Sequence, residues 1–210
     1  MKKIITIGRE YGSGGAIVGR ILAEKMGIPL YDREIIDMAV KASGLSREIV
    51  ENAEMKAKSA FSYSLSSALT FGDGLMSEPI SLNDKMFLTL FDVITEIGQL
   101  NGAVILGSCA DYILKENPYA THVYLYGPFE DRVKRAIEEY GIDQDGAKEV
   151  VKSHDKARMH YYNYHTSQKW GDCKNYHLCL DTSTANLEDV ACIIEEFVNF
   201  RLKRMERLYE

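Results

Sequence analysis

Three clusters of residues carry chemistry by their type and spacing. Gly12-Ser13-Gly14-Gly15 follows a β-branched run that ends at Ile7-Gly8, and Ile17, Val18, Ile21, Leu22 and Met26 follow at helical spacing. Glycines let backbone N–H groups approach an anion closely, and a helix N-terminus adds its dipole, so this order of strand, glycine cluster and helix suits a phosphate group. The usual phosphate-loop signature, G-x-x-x-x-G-K-[ST], puts a lysine and then a hydroxyl residue after its second glycine. Here those places hold Gly15 and Ala16, so the positive charge must come from elsewhere. Arg9, on the loop itself, is the first candidate; Arg20 and Arg158 are the others.

The second cluster is acidic. Asp32, followed by Arg33, ends a short extended piece, and Asp111 follows the apolar run Gly102–Gly107 with Ser108 between them. In an open α/β sheet ligands sit at the carboxyl ends of the strands. Both carboxylates would then face one crevice, where they suit hydroxyl recognition, magnesium-bound water or a paired arginine. Each position equally suits the N-cap or first turn of a helix. The third cluster is basic: Lys152, His154, Lys156, Arg158, His160, His165 and Lys169 crowd a short stretch of an acidic chain. Asp155 and Arg158 stand at i, i+3 on one helix face and can pair or share a ligand. Basic groups on a flap over a phosphate site neutralise charge during phosphoryl transfer, which depends on positioning and electrostatics.

The elements that must position these clusters alternate. Strands are expected over Lys2–Ile7 (stopped by Gly8), near Ile28–Asp32, and over Gly102–Gly107, Thr121–Gly127 and Tyr176–Asp181. Helices are expected over Gly14–Met26 with Gly27 as C-cap, Arg33–Ala42, Lys85–Leu100, Phe129–Tyr140, Val150 to about His165, and Leu187–Leu208. A further amphipathic segment begins at Ser46, and Ala57–Asp84, rich in Ser and Gly, has no sustained period. Strands separated by helices imply parallel pairing with right-handed crossovers, an α/β sheet covered on both faces.

Composition sets the bounds. At 210 residues and 46% hydrophobic the chain can bury one sizeable core, so residues 1–210 read as a single domain. A net charge of −6 argues against nucleic acid or an anionic membrane as partner, and no apolar run is long enough to span a bilayer. The four cysteines show no C-x-x-C pair and no paired histidine spacing, so no metal site is expected and the thiols read as reduced. The N-terminus lacks a signal-peptide pattern, and a cytoplasmic protein is expected.

The clusters, in this order, resemble the cytidylate-kinase-like family of P-loop nucleoside-monophosphate kinases. The matching stretches are REYGSGG, GIPLYDREII, GSCADYIL, EDRVKRA, DKARMHYYNYHTSQKWGD and NYHLCLDTS, spread over nearly the whole chain. The resemblance implies a P-loop NTPase-like three-layer fold with a five-stranded parallel sheet, helices on both faces, an acceptor-binding segment over 33–101 and a lid over 152–175. It also implies ATP with magnesium and a nucleoside monophosphate as acceptor. By position Gly12, Ser13, Gly14, Gly15 and Ala16 fall on the phosphate loop. Asp32 falls where cytidylate kinases recognise the pyrimidine nucleotide, with Arg33 beside it. Ser108 and Asp111 fall on a G-R-D segment facing the acceptor, and Arg158 on a lid arginine. The branch itself commonly shows GSGG without the lysine; it often has a polar residue at position 16 and an arginine at position 108, where this chain has alanine and serine.

The expected activity is transfer of the ATP γ-phosphoryl group to a small nucleotide, CMP or dCMP in first place, with Arg9, Arg158 and Asp155 at the chemistry. Gly15, Ala16 and Ser108 support a rival, a regulatory module that binds nucleotides with little or no turnover. A third reading is a kinase whose acceptor is not a nucleotide.

Overall fold

The computed structural model describes residues 2–32 and 82–209. Arg33, the helix expected over 33–42, the segment from Ser46 and nearly all of 57–84 lie outside the described residues.

Five strands, β1 (Lys3–Arg9), β2 (Leu30–Tyr31), β3 (Gly102–Leu106), β4 (Ala120–Tyr126) and β5 (Leu178–Asp181), pair in parallel in the order β2-β3-β1-β4-β5. The helices are α1 (Gly15–Met26), α2 (Leu82–Ile97), the single turn α3 (Ala110–Ile113), α4 (Phe129–Glu138), α5 (Ala147–Thr166) and α6 (Leu187–Tyr209). Successive strand residues point to opposite faces, and both faces are apolar, as in a sheet covered on each side. Ile5, Ile7, Val104, Leu106, Val123 and Leu125 pack against Val18 and Leu22 of α1 and Val190, Ile194 and Val198 of α6. Ile4, Ala103, Ile105 and Ala120 face α2 and α3, through Leu90, Ile94, Ile97, Ala110 and Leu114. Among the described residues no helix is long and apolar enough to cross a membrane.

Three of the boundaries that differ from the periodicity reading bear on packing and on the site. Gly8 does not stop β1: Gly8 and Arg9 pair with Tyr124 and Leu125 of β4. A Cβ at residue 8 would stand 3.0 Å from the Tyr124 ring and 3.1 Å from the Tyr176 ring, so this glycine answers to close packing rather than to a turn. The last strand starts two residues late, because Cys173–Asn175 form a 3-10 turn capped by Asp172, whose carboxylate accepts from Lys174 N–H. Helix α5 begins at Ala147, so Asp155 and Arg158 sit inside one continuous twenty-residue helix.

Gly8→Ala should therefore destabilise the protein by roughly 1–3 kcal/mol, the usual cost of overpacking, read from urea unfolding. A neutral result would mean that the two tyrosine rings yield freely.

Candidate active site

Strand β1 delivers the glycine loop to the middle of the carboxyl edge of the sheet. Gly12 and Gly14 have φ of 78° and 79°, left-handed values that side chains rarely adopt. Ser13 is fully buried, and its hydroxyl donates to Glu10 O at 2.8 Å. Gly14 is the N-cap of α1, so the first N–H groups of that helix open onto the loop.

Arg132 of α4, only 7% exposed, clamps the loop entrance. Its guanidinium meets Glu10 Oε2 at 3.1 Å and Asp155 Oδ2 at 2.6 Å, and donates to Tyr11 O and Gly127 O at 3.0 Å each. Asp155 Oδ1 in turn accepts from Tyr11 N–H at 2.7 Å, and Glu10 accepts from Gly127 N–H. A Cβ at residue 12 would collide with the Arg132 carbonyl, and Arg135 donates to Gly12 O at 2.9 Å. In the sequence Arg132 and Arg135 stand within the stretch EDRVKRA, but nothing local marks Arg132 as buried.

Two further arginines converge above the loop. The Arg9 side chain lies across Gly15, where a Cβ would stand 2.8 Å from Arg9 Cβ, and its guanidinium reaches Gly107 at the end of β3. It pairs with Asp32 Oδ1 at 3.4 Å. Arg158 donates to Arg9 O at 3.0 Å and lies over the Tyr11 ring, which stacks on His154. Burial and then the neighbouring Arg158 charge bring the Arg9 guanidinium down to about 10, with Asp32 acting against them. Burial also lowers Arg158. Tyr140 stands edge-on to Tyr11, and burial raises its hydroxyl, against the field of the nearby guanidinium groups.

Arg9, Arg158, Asp32 and the glycine loop therefore come together. Asp155 stands beside them, but its carboxylate bonds Arg132 and Tyr11; the expected i, i+3 pairing with Arg158 is limited to charge attraction. Ala16 packs toward the core and carries no hydroxyl. Ser108 and Cys109 follow Gly107 in left-handed conformation, φ 53° and 57°.

Asp111 does not face the open crevice as expected. It is 6% exposed, one residue into α3, and its carboxylate accepts from the Tyr162 hydroxyl at 2.6 Å. The inward turn of α3 aims it at α5. Tyr162, read from sequence only as one of several interleaved aromatics, is its partner. Among the described residues no three His, Cys, Asp or Glu side chains converge as metal ligands. With Ala16 lacking a hydroxyl and Asp32 paired to Arg9, these residues do not build a protein-held magnesium cage. The cradle and its arginines do fit a polyphosphate.

Burial raises the Asp111 carboxyl from 3.8 to about 6, against the hydrogen bonds that favour its charged form. A carboxyl raised on folding contributes stability that is fully present below its unfolded value and is lost as pH rises through its folded one. Wild-type stability should thus fall between about pH 4 and 6 on this account, and Asp111→Asn should flatten that segment. An unchanged slope in chemical unfolding across this range would show that Asp111 is ionised at no cost.

A model of the cytidylate kinase-like family matches residues 4–184. No curated protein matches the chain. Among solved structures, an uncharacterized protein from Eubacterium ventriosum is 26% identical, with 94% of this chain and 99% of that one covered and a TM-score of 0.69. A gluconokinase from Sinorhizobium meliloti is 14% identical (99% and 95% covered, TM-score 0.55). A shikimate kinase from Acinetobacter baumannii in complex with shikimate is 16% identical (94% and 93% covered, TM-score 0.50). At such identities the two kinases speak for the fold, a parallel five-stranded sheet of the P-loop kinase type. Glycine loop, strand order and family match agree, and the chain belongs to the cytidylate kinase-like family.

Proposed function

We propose that the chain transfers the γ-phosphoryl group of ATP to a nucleoside monophosphate, with a pyrimidine nucleotide such as CMP or dCMP as acceptor. The observation that carries this reading is the convergence of Arg9 and Arg158 on the glycine loop. Two largely buried guanidinium groups repel one another; Asp32 pairs with Arg9 at 3.4 Å, Asp155 attracts Arg158 while bonded to Arg132, and a polyanion would relieve the positive charge that is left. Arg9 also answers the absent loop lysine and one of the two departures from the family pattern, the serine at 108. Its stem fills the space at residue 15, and its guanidinium lies at Gly107, next to the serine that replaces an arginine. Family membership and the place of Asp32 at the end of β2 support the pyrimidine acceptor.

ATP, with magnesium on its phosphates, would supply the activated phosphoryl group. The chain's part is to hold and orient it. The backbone N–H groups from Gly14 onward would receive phosphate oxygens. Arg9 would neutralise charge between donor and acceptor, and Arg158, standing on α5, would close over the phosphates and help exclude water. Ala16, without a hydroxyl for magnesium, favours the second reading, a nucleotide-binding regulatory module. A screen of ADP release against all nucleoside monophosphates, run beside ATP-binding calorimetry, separates the two. Release with CMP or dCMP supports the kinase, and ATP binding without release by any acceptor supports the module.

The relation between Arg9 and Gly15 gives a sharper test. Arg9→Ala should weaken ATP binding and slow transfer, each by roughly tenfold to a hundredfold, the usual loss for a charge-assisted phosphate contact. Gly15→Lys alone should also impair the protein, because the new side chain meets Arg9. Combined, Arg9→Ala/Gly15→Lys should recover part of the lost ATP affinity. If the double variant binds no better than Arg9→Ala, Arg9 does not occupy the lysine's role.

A further inference from the structure

Asp155, Arg158 and Tyr162 lie along one face of α5 at i, i+3 and i+7. Each bonds a different part of the structure. Asp155 holds Tyr11 and Arg132, Arg158 donates to Arg9 O, and Tyr162 donates to Asp111 Oδ2 at 2.6 Å. The Tyr162 ring is 4% exposed, and its hydroxyl also lies 3.0 Å from Gln168 Oε1. Around it the end of α5 is closed by Thr166, whose hydroxyl donates to Tyr162 O and accepts from Gln168 N–H.

A helix held at Asp155 alone could pivot about that contact. A second hold seven residues on, about 10 Å along the axis at 1.5 Å per residue, fixes its direction, and Arg158 lies between the two. The chemistry of this second hold is informative. An apolar pair of the same shape would stabilise a buried site at least as well as a desolvated carboxylate without a counter-ion. What the carboxylate adds is a short, directional bond that sets register.

We propose that Tyr162, acting through Asp111, is a positioning residue for Arg158. It registers α5 against the turn from Gly107 to Asp111 and so determines where the Arg158 guanidinium stands over the phosphate loop. This rests on the phosphotransferase reading above and adds to it a link between the end of β3 and the charge that acts on the phosphates.

A double-mutant cycle tests it. Tyr162→Phe keeps the ring and removes only the hydroxyl, and a thermal melt checks that it folds. Its kcat should fall roughly tenfold or more while KM for ATP stays within about twofold, as for a displaced transition-state contact. Arg158→Ala should then cost little more in the Tyr162→Phe background than Tyr162→Phe alone. Asp111→Asn, whose amide oxygen still accepts from Tyr162, should retain the full Arg158 effect, whereas Asp111→Leu should lose it. Additive losses, or an Asp111→Asn variant as uncoupled as Asp111→Leu, overturn the proposal. If wild-type protein binds ATP without transferring phosphate, the proposed activity fails and Arg158 acts on bound phosphate itself; Tyr162→Phe should then share the loss of ATP affinity seen in Arg158→Ala, and additive losses of affinity overturn the positioning. Wild-type protein that binds neither ATP nor inorganic tripolyphosphate overturns both.

Discussion

The buried guanidinium of Arg132 is the tie on which the site depends. It stands between Glu10 and Asp155 and also bonds the carbonyls of Tyr11 and Gly127, so one side chain joins the loop after β1, the end of β4, α4 and α5. A buried charge with two carboxylates gives little net stability compared with an apolar core, but leaving it half-paired is costly. The arrangement is therefore all-or-none, which suits a loop that must hold its N–H groups in place before an anion arrives. A cradle organised in advance needs no reorganisation when charge develops on a phosphoryl group.

With the loop held, its charge comes from an unusual direction. In the common signature the cation projects from the start of the helix after the loop. Here it projects from the last residue of β1 and lies back across the loop, and the small residues at 15 and 107 make room for it. Gly15 thus leaves the space that the Arg9 stem takes. Asp32 and Arg158 act on that guanidinium with opposite sign, and burial enlarges both effects.

Helix α5 carries the third layer of constraint. Its contacts with Tyr11, Arg9 and Asp111 span the crevice, and Asp111 belongs to a turn whose preceding residues, Ser108 and Cys109, sit in left-handed backbone that costs about 1 kcal/mol or more each. Such a turn persists only where its surroundings hold it. The Asp111–Tyr162 bond is part of that hold, which makes the geometry of the β3 end and the placement of the helix a single problem.

Much of this was legible in the order of residues. The alternation of β-branched runs with helical spacing sufficed for an all-parallel sheet, because those periods record which side chains one element buries. The glycine cluster and the nearness of Arg9 to it followed from types and spacing close along the chain. What stayed hidden depends on contacts between distant residues. Gly8 reads as a stop, yet it is a strand residue under two tyrosine rings that arrive from 124 and 176. Asp155 reads as the partner of Arg158 three residues on, yet the chain brings Arg132 to it from across α4. Asp111 reads as a ligand-facing carboxylate, yet one turn of helix aims it inward at Tyr162. Sequence spacing determines which face of an element a side chain takes; only the packed structure decides what stands opposite that face, and for a charged group the partner opposite determines its role.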